Sequence, residues 1–344
     1  METKIARTDT PEATGEAIKR AVRLLSEGEV VALPTETVYG LAGDATNVDA
    51  ISKIFEAKER PLFDPLIVHV VSKGALGDVA VIPEAVSGVV RALAENFWPG
   101  PLTLVLPKRE VIPDMVTAGT GTVAVRCSGH PVMKKVIRAF GRPLAAPSAN
   151  RFGRISPTSH GAVLSELGGR IPMVVDGGAC ACGLESTIVA VAAGEKKPLI
   201  RVLRNGPVTP EDLKRYGKVE QAAQKVEGSG DGMEAPGQSA SHYAPVTPLR
   251  LLERPEHFRP ETGKRYALLS YRGQEKDGYV GLTAFAKVGV LSPGSGKLPE
   301  AGVRFFYLLR ELDESGVDEI VAEPVPLRGL GHAIMDRLKR AALR

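Results

Sequence analysis

The sequence predicts an α/β protein: a large first domain built on a mixed sheet, then a long connection, then a smaller α/β domain. Three observations carry this. Apolar runs of strand length alternate with amphipathic helical stretches through the first two-thirds of the chain. Several of those runs follow one another with no helix between them, which a plain βαβ repeat would not do. From 227 to 248 the composition turns to Gly, Ser and Pro (EGSGDGMEAPGQSASHYAPVTP) before strand and helix patterns resume. The boundaries read from this are 1–226, 227–248 and 249–344.

Residues 14–26 place Ile18, Val22 and Leu25 at helical spacing, and Gly28 stops that helix. EVVALP (29–34) reads as a short buried strand. Residues 47–60 read as a helix with Asn47 as its N-cap and Ile51, Ile54 and Phe55 on one face. Further strands are expected at 66–71, 102–107, 122–127, 172–178 and 186–192, with helices at 83–97 and 131–140. Beyond the connection, RYALLS (265–270) and DEIVAE (318–323) read as strands, and helices are expected near 300–313 and at 331–342. No internal repeat is visible.

Composition narrows the class. Of 344 residues, 43% are hydrophobic and 24% charged, the profile of a globular chain with a sizeable core. No apolar run approaches the roughly 18 residues that span a bilayer. The N-terminal stretch lacks an apolar signal region, so a cytoplasmic location is expected. Cys127, Cys180 and Cys182 form no C-x-x-C pair and no zinc-site spacing. The net charge of +4 is small, but residues 101–160 carry nine Lys/Arg against two Asp/Glu. That local excess suits a phosphate-bearing small molecule, an RNA backbone, or a merely solvated face.

Four stretches carry candidate chemistry. PTETVYGLAGDA (34–45) leaves the first strand with hydroxyls and glycines where α/β folds build pockets. KERPLFDPLIVHV (58–70) ends a helix at Lys58 and Arg60, which suit a polyphosphate or simply the helix dipole, and enters a strand that holds His69. TVAVRC (122–127) puts Thr122, Ala124 and Arg126 on one face. An arginine there needs an anionic partner, either a structural carboxylate or a substrate's. PLAAPSANRFGRISPT (143–158) packs small polar residues whose backbone could approach a phosphate. It is not a P-loop, and no Ser-His-Asp or Cys-His arrangement is legible.

Together these stretches resemble the YrdC-like family in its long two-domain form, the L-threonylcarbamoyladenylate synthases. The match runs through PTETVYGL, K-x-R with PLIVH, VAVR, APSAN, LESTIV, LRNG and HYAP, in order, over about 17–217 and the linker. VDEIVAEPVPLRGLGHAIMDRLKRAA looks like that form's second domain. The resemblance implies a twisted open mixed sheet around a basic cavity, with a Rossmann-like C-terminal domain. It implies a nucleotidyltransferase that condenses L-threonine, bicarbonate and ATP, with Mg²⁺ accompanying ATP, for threonylcarbamoyladenosine modification of tRNA. By carry-over, Thr37, His69, Arg126, Ala146 and Ser186 bind L-threonine, Arg126 holding its carboxylate. Lys58, Arg60, Asp64, Thr122, Ser148, Asn150, Ser156 and Arg204 surround ATP, and Tyr243 covers it. No catalytic base and no protein-held metal site is assigned. The implied partner is a downstream tRNA threonylcarbamoyl transferase complex, with weak tRNA binding as a further expectation and no membrane.

The chain departs from the pattern in places. Asp64 stands where Asn is frequent, Asn205 where Pro is usual, and Gln238–Ser241 carry no charge before HYAP. Two other readings stay open on sequence alone. One is a non-catalytic RNA binder, which would show steep salt dependence; with aromatics at 5% it lacks bases-on-rings stacking. The other is a carbamoyl-phosphate-using maturation factor, whose acylphosphatase and zinc-finger segments are not found.

Overall fold

The computed structural model describes residues 2–222, 235–236, 242–254, 258–274 and 284–343. Most of the connection's start (227–234) and Gln238–Ser241 therefore lie outside the described residues. The first domain's strands are β1 (Lys4–Arg7), β2 (Val31–Leu33), β3 (Gly40–Asp44), β4 (Ile67–His69), β5 (Leu102–Pro107), β6 (Thr122–Arg126), β7 (Leu144–Ala145), β8 (Met173–Asp176), β9 (Thr187–Ala192), β10 (Leu199–Arg204) and β11 (Lys218–Gln221). Among the described residues they form one eleven-stranded mixed sheet in the order β1-β8-β2-β3-β7-β4-β6-β5-β9-β10-β11.

Helices sit where the apolar spacing puts them. Thr10 caps Pro11–Ser26, its side chain accepting from the Ala13 amide, and Gly28 follows at φ +72°. Asn47 caps Val48–Lys58 by accepting from the Asp49 and Ala50 amides. Pro131–Phe140 starts on a proline and ends at Gly141 in the left-handed region. The expected 83–97 helix resolves into a 3₁₀ turn, Glu84–Val86, running into Ser87–Phe97. The sequence reading names no strand at β1, β3, β10 or β11 and no helix at His160–Leu167.

The second domain has β12 (Leu249–Leu251), β13 (Tyr266–Ser270), β14 (Lys287–Val290) and β15 (Glu319–Ala322), in the order β12-β15-β13-β14. All three pairings are parallel. The helices Leu298–Asp313 and Gly331–Ala341 supply Phe305, Phe306, Ile334 and Leu338 to its core. That same core takes in Val38, Ile155 and Leu184 of the first domain and Tyr243 of the connection, so apolar packing runs across the domain boundary. Among the described residues no helix is long and apolar enough to cross a membrane.

Candidate active site

The site begins with strand register. β4 and β6 run parallel with His69 opposite Arg126, and β5 runs antiparallel with Thr103 opposite Arg126. Paired residues share a face, so His69, Arg126 and Thr103 form one polar row across three strands. On the same face, one step along, Ile67, Val105 and Ala124 join Ile188 and Leu203 as an apolar floor, against which Ala235 of the connection packs. A small cavity, partly open to solvent, lies over this face.

Nine of the fourteen residues singled out from sequence line that cavity: Thr37, Arg60, His69, Arg126, Ala146, Ser148, Ser186, Arg204 and Tyr243. Arg126 is buried, and each of its three nitrogens donates a hydrogen bond. Its Nη1 donates to the Thr37 hydroxyl at 2.9 Å, its Nη2 to Glu36 Oε1 at 2.7 Å and its Nε to the Gly100 carbonyl at 3.3 Å. The anion its strand position demands is therefore present within the protein as Glu36. Burial pushes the Glu36 carboxyl up, but the Arg126 guanidinium and the Ser128 hydroxyl outweigh it and bring it down to about 2. Burial and the neighbouring Arg126 lower His69 to about 3, so its ring is neutral at ordinary pH. Its Nδ1 has no hydrogen-bond partner. Ser186 Oγ lies 2.7 Å from Thr103 Oγ1 and accepts from Arg204 Nη2 at 3.1 Å, while Arg204 Nε donates to the Ser186 carbonyl at 3.1 Å.

The other five do not line the cavity. Lys58 is buried and donates to the carbonyls of Ser148 and Asn150, both at 2.5 Å, so it pins the small-residue loop from beneath. Burial and the adjacent Arg60 lower its ammonium well below the usual range. Glu59, at φ 52°, turns the chain after Lys58, so Arg60 leaves in another direction and pairs with Asp64 at 2.9 Å. Asn150 donates to the Arg151 and Arg154 carbonyls, and its Oδ1 is unpartnered. Ser156 donates to Glu185 at 2.5 Å. Thr122 is half-buried at the start of β6.

The locally basic segment is largely neutralised in space. Lys108, Arg126, Arg142, Arg151 and Arg154 each stand in an ion pair, with Asp114, Glu36, Asp44, Glu166 and Asp313. The connection supplies Pro236, His242 and Tyr243 to the cavity wall. Tyr243 is 1% exposed at φ 65°, tilted against Phe306 at 5.7 Å and edge-on to His242 at 4.1 Å.

Sequence reasoning passed over Glu36, Glu185 and His242, although each lies inside a motif it quoted. An acid between two hydroxyl residues in PTETVYGL was the available signal for Glu36. The pair makes a testable prediction. A carboxyl near 2 instead of the usual 4.5 stabilises the fold above the unfolded value, by about 3 kcal/mol, and loses that as pH falls through about 2. Glu36→Gln should cost most near neutrality, and the wild-type advantage in chemical unfolding should shrink steadily between pH 5 and 2.5. A difference that does not change with pH would remove Glu36 from the acid response.

A buried polar cavity on one sheet face, walled by arginines and closed by a segment tied to a second α/β domain, defines a small-molecule enzyme site. Comparison with known proteins makes this specific. Residues 23–206 match the Sua5/YciO/YrdC family, described as telomere recombination, and residues 208–343 match the threonylcarbamoyl-AMP synthase C-terminal domain. The threonylcarbamoyl-AMP synthase of Bacillus subtilis is 39% identical over 344 aligned residues, covering 97% of this chain and 95% of its own. That of Pyrococcus abyssi is 38% identical over 327, covering 94% of each. The crystal structure of P. abyssi Sua5 complexed with L-threonine superposes with a TM-score of 0.83 at 35% identity, over 99% of this chain and 98% of that one. E. coli YciO, at 18% identity and a TM-score of 0.50, shares the fold of the first domain. The chain belongs to the threonylcarbamoyl-AMP synthases in their long two-domain form, and it is an enzyme of that kind.

Proposed function

We infer that the enzyme joins L-threonine, bicarbonate and ATP into L-threonylcarbamoyl-AMP and pyrophosphate. The observation that carries this is the cavity wall: three buried arginine side chains (Arg60, Arg126, Arg204) and a neutral His69 with an unpartnered nitrogen line one cavity. The row Thr37–Arg126–His69, with Ser186 and the Ala146 backbone, suits an amino acid. Arg126 keeps its carboxylate, and the apolar floor beside it takes the methyl group. Arg60, Arg204, Ser148 and Tyr243 line the part of the wall we assign to the nucleotide. Lys58, Asn150 and Ser156 shape that wall from behind, and Thr122 and Asp64 flank it.

In the reaction, the threonine amine bonds to the carbon of bicarbonate and water leaves, giving a carbamate. A carbamate oxygen then attacks the α-phosphorus of ATP, and pyrophosphate departs with the electron pair of the broken P–O bond. Such a displacement needs alignment and charge neutralisation more than covalent help. The guanidinium groups are preorganised by their hydrogen bonds, so they meet developing charge without rearranging. Mg²⁺ enters as part of Mg-ATP. Asp64 is already held by Arg60 at 2.9 Å. The product is a labile mixed anhydride that suits hand-over in the cytoplasm to a tRNA threonylcarbamoyl transferase complex; weak direct tRNA contact would assist it.

Purified protein with Mg-ATP, L-threonine and bicarbonate should release pyrophosphate and form threonylcarbamoyl-AMP by mass. Pyrophosphate release that is unchanged when threonine or bicarbonate is left out would overturn the assignment.

A further inference from the structure

One side chain of the second domain ties several segments of the cavity wall together. Arg337, on the helix Gly331–Ala341, is wholly buried. Its Nε and Nη2 both donate to Glu185 Oε2 at 3.2 Å. Its Nη1 donates to the Asn205 carbonyl at 2.6 Å and to Asp336 at 3.1 Å. Its guanidinium carbon lies 5.3 Å from the centre of the Tyr243 ring. Three segments that wall the cavity thus converge on one cation: the stretch carrying Glu185 and Ser186, the turn carrying Arg204 and Asn205, and the connection at Tyr243.

Glu185 makes this consequential. It lines the cavity, is 4% exposed, and its other oxygen accepts from Ser156. A buried carboxylate facing a polyphosphate site would repel the ligand unless it were neutralised. Among the described residues the only cation in an ion pair with Glu185 is Arg337. Asp336 has Arg340 as a second partner at 3.0 Å and is not left alone if Arg337 is lost.

We propose that Arg337 is a positioning residue of the reaction. It neutralises Glu185 so that the wall tolerates ATP, and it fixes the Arg204–Ser186 contact and the seat of Tyr243 from the second domain. This rests on the ATP-dependent reading above, and it makes docking of the second domain a condition of nucleotide affinity.

The test uses the full chain, calorimetry with a non-cleavable α,β-methylene ATP, and initial rates at varied ATP. Arg337→Met should weaken analogue binding and raise KM for ATP by about tenfold or more, because the carboxylate is stranded. Glu185→Gln with Arg337→Met removes both charges and should return analogue affinity to within about threefold of wild type. Arg337→Lys, which keeps the charge and loses the fork, should fall between. A lowered melting temperature with unchanged KM for ATP would reduce Arg337 to a structural tie and overturn the proposal. So would a double variant as weak as Arg337→Met. If Arg337→Met does not fold, the double variant and Arg337→Lys decide by the same affinities. Loss of threonine-dependent turnover in the wild type would instead sink the functional reading itself.

Discussion

Arg126→Ala is expected to abolish measurable threonine binding while ATP-analogue binding survives. The guanidinium is buried among Thr37, Glu36 and the Gly100 carbonyl, in the polar row that includes His69. Truncating one member of a buried, hydrogen-bonded charge pair costs about 2–5 kcal/mol, roughly thirty-fold or more in affinity. The structure adds a complication, because Glu36 already occupies one edge of the fork. Arg126→Ala therefore also strands a carboxylate, and some loss of activity could be loss of local structure. Glu36→Gln in the Arg126→Ala background separates the two effects. That double variant should recover much of the melting temperature, since no unpaired charge remains. It should not recover threonine binding, since no cation remains to hold the substrate carboxylate. Calorimetry showing threonine binding restored in the double variant would make Glu36, and not the substrate, the reason for Arg126.

The same residue shows how far the sequence could be read. Arg126 stood out because a charge in an apolar strand must find an anion, but the anion that answers it lies 90 positions away. Strand register decides that meeting, and local pattern does not. β5 and the helix Pro131–Phe140 were legible because unbroken apolar patterns end at Pro or Gly. β3 was not, because GLAGD has no alternation. Its glycines serve close approach, a Cβ at Gly40 or Gly43 coming within 3.1 Å of Ala146 or Ile54. Lys58 and Arg60 sit two positions apart and were expected to face one ligand. The left-handed Glu59 between them sends one to the loop carbonyls and the other to Asp64. Arg337 had a readable signal. It falls three after Ile334 and four before Ala341, at a position whose spacing belongs to the buried face. A cation there needs a buried acid, and only the folded chain shows which one.

Tyr243→Ala is the second large effect expected, and it tests whether the connection closes the site or merely joins two domains. The ring is wedged between His242, Phe306 and the Arg337 guanidinium, with its hydroxyl unpartnered. Removing a buried aromatic ring costs about 3–5 kcal/mol of local packing, enough to unseat the segment that carries Pro236 and His242 onto the cavity wall. A closing segment keeps water from a carbamate and a mixed anhydride, so its loss should shorten product lifetime as well as slow formation. Product yield should fall by about tenfold or more, and the ratio of pyrophosphate released to product recovered should rise above one, because the mixed anhydride hydrolyses after pyrophosphate has left. Tyr243→Gly serves as the control for backbone strain, since glycine adopts φ 65° without cost. If the ring is what matters, Gly and Ala should fail alike. Removing everything after about residue 226 should be worse still, because it also bares Val38, Ile155 and Leu184, which the second domain covers. A passive tether predicts that Tyr243→Ala matches wild type in turnover, in the pyrophosphate-to-product ratio and in product half-life. Equality in all three measurements would end the idea that this segment shields the chemistry.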